Sequence, residues 1–166
     1  MGTAVAALAL GLGVSACQMS SPVQTTHIYS PADGVLINAG NLEIADLLVV
    51  SEGAGAPGVV SGYAVNTGRE PMTVEVSMTV DGAPQPLSPG VEVGAGDAVR
   101  LDGGPGEDAG QGGSEPVMIP QVTSLAGETL TLRVSTSAGE VVSTPVPVLA
   151  PESPYDIYGE TLDATG

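Results

Sequence analysis

The sequence predicts an all-β domain, an antiparallel sandwich or barrel of about seven or eight short strands. Three observations predict it. Short apolar runs recur between clusters of Gly, Pro, Asn and Asp. Met72–Val80 alternates residue by residue, with Met72, Val74, Val76, Met78 and Val80 on one face and Thr73, Glu75, Ser77 and Thr79 on the other. Beyond the first 16 residues no window carries a helical period. The chain has no Trp, no Phe and four Tyr among 166 residues, so its core must be built from Val, Leu, Ile and Met. Valine suits pleated, half-buried surfaces.

Residues 1–16 stand apart. Ala4 to Val14 is an uncharged apolar run, and Val14-Ser15-Ala16-Cys17 follows it. The run is too short for a bilayer, which needs about 20 apolar residues. It fits the apolar core of an export signal, about 7–15 residues long. Small residues ending at a cysteine resemble a bacterial lipobox. On that reading residues 1–16 are a lipoprotein signal peptide, cut so that Cys17 becomes the lipid-bearing N-terminus. Met1-Gly2-Thr3 lacks the usual basic residue. The alternative is a plain secretory signal cut near Ala16, with Cys17 an incidental thiol. A lone cysteine has no partner for an internal disulfide. Residues 17–32 are polar and without period, the composition of a tether, and His27 lies among them.

The β-domain is expected over 33–149. Asn41 to Val50 is a long apolar strand, and Gly58 to Asn66 ends in the turn Asn66-Thr67-Gly68. Met72–Val80 is closed by Asp81-Gly82, which has hairpin chemistry. Val91–Val93 and Ala98–Leu101 are expected to pair around Gly94-Ala95-Gly96-Asp97. Val117–Val122 contains Pro120, a mark of an edge or bulge. Thr129–Ser135 alternates, with Leu130, Leu132 and Val134 inward. Val141–Leu149 closes the domain, and Pro145 and Pro147 require an edge position. The acidic tail, 150–166, holds Tyr155, Ile157 and Tyr158 and is either disordered or a docking peptide.

Charge narrows the function. The only cations among Lys and Arg are Arg69, Arg100 and Arg133, against 19 Asp and Glu, a net charge of −16. Nucleic acid is excluded as a partner, because its binding draws on Lys and Arg meeting phosphates. Anionic headgroups are repelled too, so a membrane is reached through a lipid anchor, on the outer, extracytoplasmic face. Enzyme chemistry lacks its parts. The predicted domain has no histidine, and no G-x-S-x-G or S-x-x-K motif occurs. Asp102–Ser114 (DGGPGEDAGQGGS) reads as a flexible acidic loop without the ligand spacing of a calcium loop.

The order of strands resembles a known family. N-L-E-I-A-D-L-L-V-V precedes G-Y-A-V-N-T-G, then come V-E-V-G-A-G-D-A-V-R-L and P-V-M-I-P-Q-V-T-S-L-A-G-E-T-L-T-L-R-V. Over Asp33 to Leu149 the chain is similar to PCuAC-type periplasmic copper chaperones, and closest to the actinobacterial LpqE-like lipoproteins. The resemblance implies a Greek-key β-sandwich of the cupredoxin/immunoglobulin-like kind. It also implies a Cu(I) site of two His and two Met, soft ligands suited to that ion. Here the His-x-Met stretch reads Pro116-Val117-Met118, so Met118 alone matches. The earlier histidine position falls near Val76 or Ser77, neither a ligand. Met72 and Met78 share the apolar face of their strand and read as core. Met118 reads as packing or as a relic ligand, and His27 as a linker residue or a loose site with Met19. The resulting expectation is a non-catalytic, lipid-anchored envelope protein without a cofactor. The resemblance points to the respiratory cytochrome assembly as partner. The alternative is a copper-binding chaperone, and a third reading is an envelope sandwich that binds a small ligand or sugar.

Overall fold

A computed structural model of the chain describes residues 33–80, 83–87, 90–104 and 114–163. Cys17, Met19, His27, the Asp81-Gly82 turn, the middle of the acidic loop and the last three residues lie outside the described residues.

Among the described residues ten strands form the domain. They are β1 (Val35–Ala39), β2 (Leu42–Ser51), β3 (Gly58–Asn66), β4 (Met72–Val80), β5 (Ala83–Pro86), β6 (Val91–Val93), β7 (Ala98–Arg100), β8 (Met118–Ile119), β9 (Thr129–Thr136) and β10 (Val141–Leu149). The β-sandwich expectation holds. Strands run in the order β5-β4-β9-β10-β2-β3-β7. One sheet holds β4, β5, β6, β9 and most of β10; the other holds β1, β2, β3, β7 and β8. The alternating face of β4 packs in one core with Ile44, Val49, Val60, Leu132, Val134 and Val148.

Three differences from the sequence reading have clear causes. The count is ten rather than seven or eight. β1 (VLINA) is short, and β5 (APQP) carries two prolines and is exposed along its whole length, so neither has a strong strand pattern. The arrangement is not wholly antiparallel: Val148 and Leu149 pair in parallel with Val49 and Val50. That pairing lets β10 pass from one sheet to the other just after its prolines. Pro145 and Pro147 face β9 across the antiparallel ladder, and β2 pairs with β10 only beyond them. Finally, β6 and β7 do not pair. β6 joins β4 and β7 joins β3, so Gly94–Asp97 crosses between sheets instead of closing a hairpin. Asn66 holds that crossing. Its side-chain amide donates to the carbonyls of Glu70 and Val93, and its backbone bonds to Asp97 and Gly96.

β2 contains a bulge. Between Ala45 and Leu48 it spends one residue more than β3, and Asp46 takes φ 55°. The Asp46 carboxylate accepts the Gly34 N–H at 2.8 Å, which pins the start of the domain to the bulge. After it, Leu47, Leu48, Val49 and Val50 are all buried. A strand buried on both faces needs a cover on its outer side. The C-terminal segment provides it. Tyr155–Tyr158 forms a 3-10 turn and Gly159–Asp163 a one-turn helix. Tyr158 and Leu162 pack on Leu48, Val50 and Val59.

Candidate functional site

Met118 sits in β8, opposite Val59. Its side chain is half-buried and packs into the cluster of Leu48, Val50, Val59, Tyr158 and Leu162. Met72 and Met78 lie in the other core, within β4. The three thioethers therefore do not converge. Val76 is a core residue, and Ser77 turns its hydroxyl to the carbonyl of Arg133 at 3.2 Å. Both belong to the sheet opposite Met118. Among the described residues no group of three His, Cys, Asp or Glu is placed to hold a metal ion. Among the described residues the donor set does not fit a Cu(I) site: the half-buried Met118 thioether packs against apolar carbon, and the other described thioethers lie in the other core.

The structure assembles a different polar centre that sequence reading missed. Arg100 ends β7, and Asp102 follows two residues later on the same side of the chain. Arg100 Nε donates to Asp102 Oδ1 at 2.8 Å and Arg100 Nη2 donates to Oδ2 at 2.6 Å. This two-pronged geometry is the strong form of an ion pair. Tyr158 Oη donates to Asp102 Oδ2 at 2.6 Å, and the Gly104 N–H donates to Oδ1 at 3.1 Å. Ser61, in β3, bonds to Tyr158 at 3.0 Å and reaches Asp102 at 3.4 Å. The Arg100 guanidinium lies over the Tyr63 ring, 5.5 Å from its centre, a cation–π contact between β7 and β3. Ser114 donates to the Arg100 carbonyl at 2.6 Å. The first end of the acidic loop and the C-terminal segment thus meet at one carboxylate, and Ser114 ties the loop's other end to the Arg100 backbone beside it. Asp102 is no solvated loop residue: its side chain is 2% exposed.

Burial opposes the charge on Asp102, but donation from Arg100, Tyr158 and the Gly104 N–H outweighs it. The carboxyl is held below the usual carboxylate range. The bond to Asp102 keeps Arg100 charged beyond its already high ordinary value. Burial, reinforced by the bond to Asp102, pushes the Tyr158 phenol up. No member titrates near neutrality, so none is poised as a general acid or base. The centre restrains the fold. A nearby signal was present in the sequence: an Arg-x-Asp pair in a chain with three arginines. Its third partner lies 56 residues further on, and nothing local announces that contact.

A second feature lies at the far end of β3. Pro71, Met72, Thr73, Glu92, Val93 and Asp97 line an open cleft of about 460 Å³. It carries no convergent set of functional groups.

The fold has solved counterparts. The apo PCuAC domain from PmoF2 superposes over 72% of this chain and 98% of that domain, with TM-score 0.50 and 13% identity. The chain has a PCuAC-type fold. The copper-bound PCuAC domain from PmoF2 covers 70% of this chain and 99% of its own, at TM-score 0.49 and 15% identity. The apo PCuAC domain from PmoF1 gives TM-score 0.44 and 14% identity, over 70% of this chain and 100% of that domain. No protein-family model and no curated protein matches the sequence. Among the described residues no helix is long and apolar enough to cross a membrane.

Proposed function

We propose that this protein is a non-catalytic, lipid-anchored accessory protein of the cell envelope, built on a PCuAC-type fold that no longer carries the family's copper site. One observation carries the reading. At Met118, the single position that matches the family's ligand pattern, the surroundings are Leu48, Val50, Val59, Tyr158 and Leu162. The described neighbours of Met118 are apolar carbon on one side, with no second soft donor among them. The Val14-Ser15-Ala16-Cys17 sequence supports attachment through Cys17 to the outer face of the membrane, and the charge of −16 leaves the anchor as the means of attachment. The family likeness points to an envelope partner, with the respiratory cytochrome assembly as the first to examine, and to an actinobacterial LpqE-like lipoprotein.

Copper handling is the second reading, and the PCuAC-type fold favours it. It requires Met118 to gain soft donors from outside the described residues, where Met19 and His27 are found. Two measurements separate the readings. Replacement Cys17→Ser should release the protein from the membrane fraction. A variant still membrane-bound and unprocessed sinks the anchor. Titration of the full chain with Cu(I) against a competing chelator should show no tight stoichiometric site. A tight site abolished by Met118→Ala restores the chaperone reading.

A further inference from the structure

The C-terminal segment is attached differently from the strands beneath it. No strand pairing ties Tyr155–Asp163 to the sheet among the described residues. It is one 3-10 turn and one helical turn, too short to be stable alone, since isolated helices below about 12 residues are marginal in water. The chain leading into it, 152–154, is exposed. Side chains fasten it. Tyr155 Oη donates to Asp33 Oδ2 at 2.6 Å, beside the start of the domain. Tyr158 Oη donates to Asp102 at 2.6 Å, at the root of the acidic loop. Between these clasps Tyr158 and Leu162 cover Leu48, Val50 and Val59, with Met118 at the margin of the same cluster. The sandwich core of Val74, Val76, Leu132 and Val134 is a separate cluster that the segment does not enter.

We propose that Tyr155–Asp163 is a releasable strap. It is held by hydroxyl clasps at Asp33 and Asp102, and it opens while the sandwich stays folded. Opening uncovers Met118 and the apolar strip of β2 and β3. Local opening of this kind is ordinary where an element contributes few buried groups and the rest of the fold does not depend on it. The two clasps join regions far apart in sequence, so the strap couples the start of the domain to the loop root. The inference goes beyond the accessory role and does not depend on copper.

Methionine oxidation reads the opening directly. The full chain is treated with dilute hydrogen peroxide, and sulfoxide is followed at Met118 by peptide mass spectrometry. Met72 and Met78, in the other core, serve as internal references. Met118 is half-buried even with the strap closed, so the readout is the rise in its rate when the strap is loosened, not its rate in the parent protein. Its rate should barely respond to urea below the unfolding range, because little surface is exposed on opening, whereas the references should rise steeply. Tyr158→Phe removes one clasp and Leu162→Ala removes apolar cover. Each should raise the Met118 rate about tenfold, the usual effect of losing a bond to a charged group. Three results overturn the strap: a Met118 rate unchanged in both variants, a Met118 rate with the same urea dependence as Met72 and Met78, or loss of the β-sheet circular dichroism in both variants. The second would mean that the segment opens only with the whole domain, and the third that the sandwich cannot stand without it.

Discussion

Replacing Asp102 by Asn tests the restraining centre most sharply, because shape is kept and only charge and one acceptor are lost. Both carboxylate oxygens are committed to donors. Oδ1 receives Arg100 Nε and the Gly104 N–H; Oδ2 receives Arg100 Nη2 and the Tyr158 hydroxyl. Whichever way the asparagine amide is turned, its NH2 group faces a donor. One pair of bonds is lost and replaced by a donor–donor contact. Breaking a buried ion pair costs about 3–5 kcal/mol. The Arg100 side chain is 23% exposed, so water takes over part of its solvation and the lower end applies, about 3 kcal/mol. For a domain of this size that lowers Tm by about 10 °C. Urea unfolding followed by circular dichroism should show the loss at unchanged m-value. The double variant Asp102→Asn/Tyr158→Phe should lose less than the sum of the two singles, because Tyr158 donates to the atom already altered. A loss below about 1 kcal/mol, or simple additivity, would falsify the view of Asp102 as the shared acceptor of the centre.

Three further expectations follow from the same geometry. Val76→Asp should destabilise the sandwich by several kcal/mol, since it places an unpaired charge in the core opposite Val134; melting by calorimetry checks it, and unchanged melting means the buried face of β4 is misassigned. Met118→Ala should cost less than the full burial value of about 2–5 kcal/mol, because the side chain is only half-buried; a cost at the top of that range in urea unfolding contradicts its marginal position. Stability should also depend on pH at both extremes. Asp102 has its folded value depressed, so its contribution is present above the unfolded carboxylate value of about 4 and is lost as pH falls through the folded value. Tyr158 has its value raised, so its contribution is intact below the unfolded phenol value of about 10 and is lost as pH rises through the folded one. Urea midpoints taken from pH 2 to 11 should be flat in the middle and should lose their acid limb in Asp102→Asn.

The strands that a reader finds in this sequence are those with two-sided chemistry. β4 announces itself because Glu75 and Thr79 are exposed and Thr73 is half-buried while Met72, Val74, Val76 and Met78 are buried. β6 and β10 match the expected bounds for the same reason, and β3, buried on both faces at its start, matches through the turn residues at its ends. β1 and β5 were not legible. β5 is exposed on both faces and is recognised only by its place beside β4. The partners of β6 and β7 were also out of reach. A Gly-rich link of four residues fits a hairpin as well as a crossing, and the choice is made by Asn66, a buried amide some 30 residues earlier in the chain.

The same distinction explains why the candidate site was half legible. Motif reading picked out Met118 as the one position matching the ligand pattern, because a residue in place of a histidine is a local fact. It could not see what packs around Met118. The apolar run Leu47–Val50 held the clue. An alternating strand buries one face, whereas four consecutive buried residues in β2 demand cover on both. The inner cover is the opposite sheet. Among the described residues the outer cover comes from the tail, with Tyr158 and Leu162 four residues apart, on one side of a helical turn. Charge then decides how that cover is fixed. An acidic tail on a protein of net charge −16 gains nothing from general attraction to the surface. It is held where its phenols find carboxylates, at Asp33 and Asp102, and where Arg100 compensates the buried one. In a chain with three arginines, placing one at the root of the acidic loop makes the ion pair the point on which loop and tail both depend.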